Sequence, residues 1–472
     1  MSLITFLEKR LVMPVRYMTM RERLYLMDRP ATSRHGYIWN LQAEQMPRVE
    51  LSVLQTRRLQ QQVTRAYERV PFYRRALEER GVHPQDIQAL DDIERLPFTV
   101  KEDFRTTYPY GLFAVLLKDV VRLHASSGTT GKPVVSGYTR ADMAMWGEVM
   151  ARTFASGGLT ADDIFQNFYG YGLFTGGLGA HIGAELIGAT VVPISGGLTR
   201  RQVQLMEDFG VTAIAGTPSY TLVVAETASG EGIDLHTRMK VRVGFFGAEP
   251  WTEGMRREIE ERFGLEAFDI YGLTEVIGPG VAAECSQHQG LHVNEDHFYP
   301  EVIDPESGKR LQDGEVGELV FTCLTREALP LLRYRTRDRV ALIHDACPCG
   351  RTSVRMQRVQ GRTDDMLIVR GVNIFPTQIE QVLLSHPGLT SNYQIVVDRQ
   401  RDQLDELEVR VEVDEVLHRD KGETIGALQA MVTEDLRQAL GLHAHVLIVE
   451  PYHLPRSEGK VKRVVDRRQL IG

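Results

Sequence analysis

Beyond Val120 the chain is built from short β-branched runs, each closed by a glycine-rich turn and followed by a longer helical stretch. Thr190–Ile194 leads into Ser195-Gly196-Gly197, Val211–Ala215 into Gly216-Thr217-Pro218, and Val241–Phe246 into Gly247. Arg200–Phe209 and Glu253–Phe263 are the helix-like segments between and after them. Strand–helix alternation of this kind restricts a chain to a parallel α/β sheet, and it places ligands at the loops after the strand ends. After about Glu295 the pattern changes to strand–turn–strand, with Glu301–Asp304, the turn PESGK and the strand Gly317–Leu324.

Upstream, Leu51, Leu54, Leu59, Val63 and Ala66 recur at helical spacing. A loop with Pro71 and a second helical stretch around Ala76–Arg80 are expected next. A break near Gly361–Asp365 leaves about 110 residues, long enough for a small domain. Its expected strands are Met366–Val369, Tyr393–Asp398, Leu407–Val413 and Val446–Val449, and its expected helices Pro376–Ser385 and Thr424–Leu440. The predicted fold class is α/β, a large N-terminal multi-sheet domain followed by a small mobile α+β C-terminal lid. The expected boundaries are an extension over residues 1–50, the large domain over 51–362 and the lid over 363–472.

Composition narrows the function classes. No apolar run approaches the ~18 residues of a membrane span, and Met1–Arg23 lacks the apolar block of a secretory signal. Four cysteines among 472 residues are too few for a disulfide framework, so a reducing cytoplasm is expected. The formal charge of −8 argues against wrapping nucleic acid.

The sharpest local signal is Ser126-Ser127-Gly128-Thr129-Thr130-Gly131-Lys132-Pro133, directly after the strand-like Val120–His124. Small residues let backbone N–H groups converge on an anion, hydroxyls add donors and Lys132 adds a charge, a composition suited to a polyphosphate. It is not a Walker A loop, because two residues separate the glycines and Pro133 stands where a magnesium-binding hydroxyl should be. A flexible Ser/Gly/Thr turn is the bland alternative.

In order after this loop come Gly247-Ala248-Glu249-Pro250, then Asp269-Ile270-Tyr271-Gly272-Leu273-Thr274-Glu275. Arg333-Tyr334-Arg335-Thr336-Arg337-Asp338, Gly361-Arg362-Thr363-Asp364-Asp365 and Arg456-Ser457-Glu458-Gly459-Lys460 follow. This ordered set resembles the adenylate-forming superfamily of acyl-CoA synthetases, adenylation domains and luciferases. YGYGLFTGGLG, GTPSY, EDHFYPE, RYRTRD and GRTDDMLIVRGVNIFP make the chain similar to the phenylacetate–coenzyme A ligases, from about Leu51 onward.

The resemblance implies a two-step reaction: a carboxylate attacks the α-phosphorus of ATP, and a thiol, coenzyme A, then displaces AMP. It implies that Ser126–Lys132 cradle the β- and γ-phosphates, Glu275 binds Mg2+, Thr274 contacts the α-phosphate and Asp338 accepts from the ribose. Arg362 joins this nucleotide set at the domain junction, and Ala248, Glu249, Pro250, Asp269 and Tyr271 line the adenine slot. Lys460 is the implied catalytic cation bridging carboxylate and α-phosphate, Asp364 the hinge, and Gly371 lies beside the thiol path. Each residue alone has an ordinary structural explanation; Glu275 could be a surface carboxylate and Tyr271 core packing. In the basic run RSEGKVKRVVDRR, Lys462, Arg463, Arg467 and Arg468 read as a solvated face, whereas Lys460 follows a glycine on a potential loop tip.

The aromatic and glycine patch Phe168–Phe174 could stack a planar ring. Tyr169, Phe174, Ile277 and Pro279 are the pocket candidates for an aromatic carboxylic acid, and plain core packing is their alternative. Cys347 and Cys349 on one turn, with Cys285 and His292 upstream, would complete a tetrahedral structural Zn2+ site, with reduced unliganded thiols as the alternative. Cys323 reads as buried core. A carrier-protein thiol or another small molecule as acceptor, a non-catalytic nucleotide sensor and homodimerisation stay open.

Overall fold

The computed structural model describes residues 31–33, 36–126, 132–363, 367–370, 372–399, 405–419, 423–457 and 461–468. Its centre is a nine-stranded sheet. Five strands run parallel in the order Thr190–Val192, Ile164–Asn167, Ala213–Gly216, Val243–Gly247, Glu266–Leu273. The sheet then continues antiparallel through Gly278–Glu284, Leu291–Val293, Arg355–Met356 and Leu342–Ile343. The alternating α/β pattern is therefore realised, but only on one half of the sheet.

Period-2 alternation divides the core. Ala213, Ala215, Val243, Phe245, Phe268 and Ile270 face one apolar cluster, whereas Ile214, Phe246, Leu265 and Ala267 face a second. Helices cover both faces, as a parallel sheet requires. The helix Glu253–Phe263 begins and ends where expected, because Thr252 caps its start with a hydroxyl to the Met255 amide and Gly264 (φ +68°) closes its end.

Three local expectations change. Pro71 is not in a loop; it opens the helix Pro71–Glu79, one residue after the helix Arg48–Arg69 ends, a position where its missing N–H costs no hydrogen bond. The strand before the glycine–hydroxyl loop, Arg122–Ala125, pairs antiparallel with Val135–Tyr138 and forms a separate hairpin. Residues 38–50, part of the segment read as an extension, are packed on the large domain. There Glu44 and Arg351, each about 4% exposed at the side chain, pair at 2.7 Å, and Arg48 pairs with Glu295.

A three-stranded antiparallel sheet of Phe298–Ile303, Gly317–Cys323 and Tyr334–Val340 lies beside the large sheet. The C-terminal domain has its own four-stranded sheet, in the order His445–Val449, Glu406–Val413, Leu389–Asp398, Val464–Asp466. The helices Pro376–Leu384 and Glu423–Leu440 complete its own apolar core. Among the described residues no helix is long and apolar enough to cross a membrane.

One buried cation ties these parts together. The Arg326 side chain has no solvent exposure and lies 3.8 Å from the equally buried Asp142. It donates to the Val276, Gly137 and Ser136 oxygens, with its guanidinium 4.6 Å from the Tyr138 ring centroid. Replacing Arg326 by Leu leaves Asp142 as an uncompensated buried charge, which typically costs about 3–5 kcal/mol. All three tryptophans, Trp39, Trp146 and Trp251, precede the C-terminal domain, so tryptophan fluorescence during urea unfolding reads this loss. A loss below about 1 kcal/mol, the size of an ordinary surface-pair effect, contradicts the assignment.

Candidate active site

Along the parallel half, Ile164–Asn167 precedes in sequence both of its neighbours, Thr190–Val192 and Ala213–Gly216. The strand order thus reverses there, and crevices at such a reversal are where open α/β sheets bind ligands. The segments leaving these strand ends are the aromatic patch Phe168–Phe174 and, directly after Thr217, the helix Pro218–Gly230. Glycines permit close packing around the patch: a Cβ on Gly216, at the end of its strand, would sit 2.9 Å from the Phe168 Cβ, and one on Gly177, in the helix Thr175–Ile187, would sit 2.4 Å from the Gly170 carbonyl.

Tyr169 is buried in this crevice, with its ring centroid 6.5 Å from that of Phe174. Burial, with Asp269 and Glu249 nearby, holds its hydroxyl well above the usual tyrosine range, so it remains a phenol. Pro279 is half-buried, and its carbonyl accepts from the Trp146 indole at 2.9 Å. Ile277 has no exposed surface and belongs to the principal core, where its carbonyl accepts from the Tyr138 hydroxyl at 2.7 Å. Of the four pocket candidates, Ile277 and Tyr169 are buried, and Ile277 is the one with no exposed surface.

Thr274 and Glu275 stand in the tight turn between Glu266–Leu273 and Gly278–Glu284, where the sheet changes from parallel to antiparallel. Both are buried, and the Thr274 hydroxyl lies 3.4 Å from that of Thr175 at the start of the helix Thr175–Ile187. Asp338 lies on the inward row of Tyr334–Val340, whose residues alternate buried and half-buried. It accepts from the Tyr271 hydroxyl at 2.6 Å and from Arg362 at 2.9 Å. Three residues separated widely in sequence thus form one cluster.

Ala248 takes a left-handed conformation (φ +73°) and Pro250 is exposed. Glu249 accepts from the Ser219 amide at 2.8 Å, and burial pushes its carboxyl up. Asp269 forms an ion pair with the Arg358 guanidinium at 3.3 Å, while burial beside Glu284 raises its carboxyl to about 7. Arg256 and Arg358 each lie 5.1 Å from the Trp251 ring centroid, so an aromatic ring held by two cations underlies this segment.

At the hairpin tip, Ser126 donates its amide to the Val134 carbonyl and accepts from the Val134 amide on its hydroxyl, both at 3.0 Å. This pair closes the base of the loop. Lys132 is exposed, its ammonium 5.2 Å from the Tyr108 ring centroid. The candidates Ser127, Gly128, Thr129, Thr130, Gly131, Asp364, Gly371 and Lys460 lie outside the described residues.

Register brings the thiols together. Cys285 follows the strand Gly278–Glu284, His292 sits opposite Ala283 on the paired strand, and Cys347 and Cys349 lie on the connection before Arg355–Met356. Their ligand atoms all fall within 4.8 Å of one another, and all four residues are buried. Cys285 and Cys347 sulfurs are 3.7 Å apart, and Cys349 sulfur is 3.4 Å from His292 Nε2. A disulfide needs about 2.05 Å, whereas the edge of a tetrahedron around zinc with ~2.3 Å Zn–S bonds is about 3.8 Å. The donor set and its spacing fit Zn2+. Cys323 is separate and buried in the core, as expected.

Sequence reading missed Arg326, Arg358 and Glu226. All three act through contacts tens to hundreds of residues away, and their local sequence carries no periodic or motif signal.

The sequence model described as AMP-binding enzyme matches residues 63–322, and that described as AMP-binding enzyme C-terminal domain matches residues 371–468. The phenylacetate-coenzyme A ligase of Thermus thermophilus is 49% identical over 440 residues, covering 90% of this chain and 98% of that protein. A 2-hydroxyisobutyryl-CoA ligase solved in its post-adenylation state with an acyl-AMP superposes with a TM-score of 0.87 at 31% identity, covering 93% of this chain and 94% of the other. The same ligase in its thioesterification state, with acyl-AMP and CoA, gives 0.69 at 32% identity over 93% and 94% of the two chains. The chain belongs to the AMP-binding enzymes and, within them, to the phenylacetate–coenzyme A ligases, AMP-forming acid–thiol ligases.

Proposed function

We propose that one crevice at the strand ends carries both half-reactions on an arylacetic acid of the phenylacetate type, with free coenzyme A as acceptor. The observation that carries this reading is the Tyr271–Asp338–Arg362 cluster beside the Thr274–Glu275 turn. A ribose-accepting carboxylate there stands near the places proposed for metal and α-phosphate. In the first step an anion approaches a polyanion, so catalysis consists of offsetting that repulsion with cations and oriented donors.

In this reading Ser126, Ser127, Gly128, Thr129, Thr130, Gly131 and Lys132 hold the β- and γ-phosphates, Thr274 the α-phosphate and Asp338 the ribose hydroxyls. Glu275 would hold Mg2+, which supplies charge neutralisation on the phosphates when bound. Ala248, Glu249, Pro250, Asp269 and Tyr271 frame the adenine. Tyr169, Phe174 and Pro279 face the acid, with Ile277 behind them. Lys460 joins carboxylate to phosphate during adenylation. The C-terminal domain, over residues 363–472, then turns about Asp364 to admit the thiol. Cys285, His292, Cys347 and Cys349 would hold a structural Zn2+, keeping the antiparallel end of the sheet together in a reducing cytoplasm.

Purified protein should show phenylacetate-dependent ATP–pyrophosphate exchange and consume free coenzyme A. Exchange without consumption of coenzyme A replaces the acceptor with a carrier protein or another molecule. Lys460→Ala should abolish exchange, yet leave thioester formation from supplied phenylacetyl-adenylate largely intact. Equal loss of both halves in a folded variant contradicts the two-arrangement account.

Elemental analysis should find about one zinc per chain, the stoichiometry of a single four-ligand site. Cys349→Ser should release the metal and lower the melting temperature. Metal-free protein with all four thiols reactive on unfolding, and unchanged stability in that variant, contradicts the zinc assignment.

A further inference from the structure

We infer that Glu226 is a positioning residue that fastens the C-terminal domain in the arrangement used for adenylate formation. This rests on the ligase reading given above. Glu226 lies on the large-domain helix Pro218–Gly230, with its side chain 14% exposed. Its carboxylate accepts from Arg456 through Nε at 2.9 Å and Nη2 at 3.2 Å, and from Asn392 Nδ2 at 2.8 Å. Both donors belong to the C-terminal domain, so one carboxylate collects three bonds across the junction.

Arg456 is held in advance from its own side. Glu412, 1% exposed, accepts from Arg456 Nη1 at 2.8 Å and Nη2 at 2.7 Å, and the Leu454 carbonyl accepts from Nη1 at 2.9 Å. The guanidinium therefore has little freedom left to lose when Glu226 arrives, which favours a forked, charge-assisted contact. When the domains part, Arg456 keeps Glu412, so no unpaired cation is left behind. That asymmetry suits a contact made and broken in every cycle.

The contact also sits where it controls the catalytic segment. Arg456 lies four positions before Lys460, and Val461 on the other side donates its amide to Glu249 at 3.4 Å. The segment carrying Lys460 is thus flanked by two attachments to large-domain carboxylates, Glu226 and Glu249. Other described junction contacts include a close approach, where a Cβ on Gly254 would sit 2.8 Å from Leu384, the Thr377 hydroxyl donating to the Gln360 carbonyl at 2.7 Å, and Arg339 4.8 Å from the Phe375 ring centroid. Glu226 supplies the directional, ionic part of the docking. The higher overlap with the post-adenylation neighbour than with its thioesterification state is consistent with this arrangement.

The test uses full-length Glu226→Gln, which keeps the side-chain shape and removes the charge. Phenylacetate-dependent pyrophosphate exchange should fall roughly tenfold, within the usual range of a coupling between two states. Thioester formation from supplied phenylacetyl-adenylate and the melting temperature should stay unchanged. Asn392→Ala should move exchange in the same direction by a smaller factor. Unchanged exchange in Glu226→Gln, or an equal fall in both half-reactions, overturns the inference while leaving the ligase reading intact. Absence of exchange in the unmodified protein overturns the ligase reading itself.

Discussion

A guanidinium with no solvent exposure holds together the two chain segments on which phosphate chemistry would depend. Arg326 donates to the Val276 carbonyl in the turn that bears Thr274 and Glu275. It also donates to Gly137 and Ser136 in the hairpin whose tip is the glycine–hydroxyl loop. Tyr138 of the same hairpin donates to the Ile277 carbonyl. The 277 carbonyl is thus satisfied from the hairpin directly, and the 276 carbonyl by Arg326, which bonds the hairpin with its other nitrogen. Unsatisfied buried carbonyls are costly, so hairpin and turn are locked in one relative position. Asp142, which accepts the Glu327 and Ala328 amides at 2.7 and 3.0 Å, balances the buried charge.

How much of this was legible in the sequence follows from the range of the interactions. The helix Glu253–Phe263, the strands ending at Gly216 and Gly247, and the small C-terminal domain were readable because periodicity, caps and glycine turns are local signals. The ordered motifs were readable because their spacing reflects one chemistry. The hairpin that carries the glycine–hydroxyl loop was not, since a four-residue strand looks alike in parallel and antiparallel pairing. The grouping of Cys285 and His292 with Cys347 and Cys349 was readable from the residue types, and register across several strands supplies the spacing that the sequence could not give. Arg326 and Glu226 gave no signal at all, because each gains its meaning from partners far away in the chain.

The molecule combines a floor that does not change with a part that can. The large domain fixes Thr274, Glu275, Tyr271 and Asp338 by buried packing and hydrogen bonds. Close-packed interiors shift between discrete arrangements rather than deforming smoothly. The C-terminal domain carries its own core and meets the large domain largely through polar contacts and one close glycine approach. Junctions of that composition favour relative movement of domains.

The central claim is that acid and nucleotide occupy one continuous crevice, so that their joined form matches it better than either part. Isothermal titration of a phenylacetyl-sulfamoyl adenosine, a stable mimic of the acyl-adenylate, tests this most directly. The account predicts binding at least about 100-fold tighter than AMP, as analogues of bound reactive species show, with competition against both ATP and phenylacetate. Binding no tighter than AMP would contradict it.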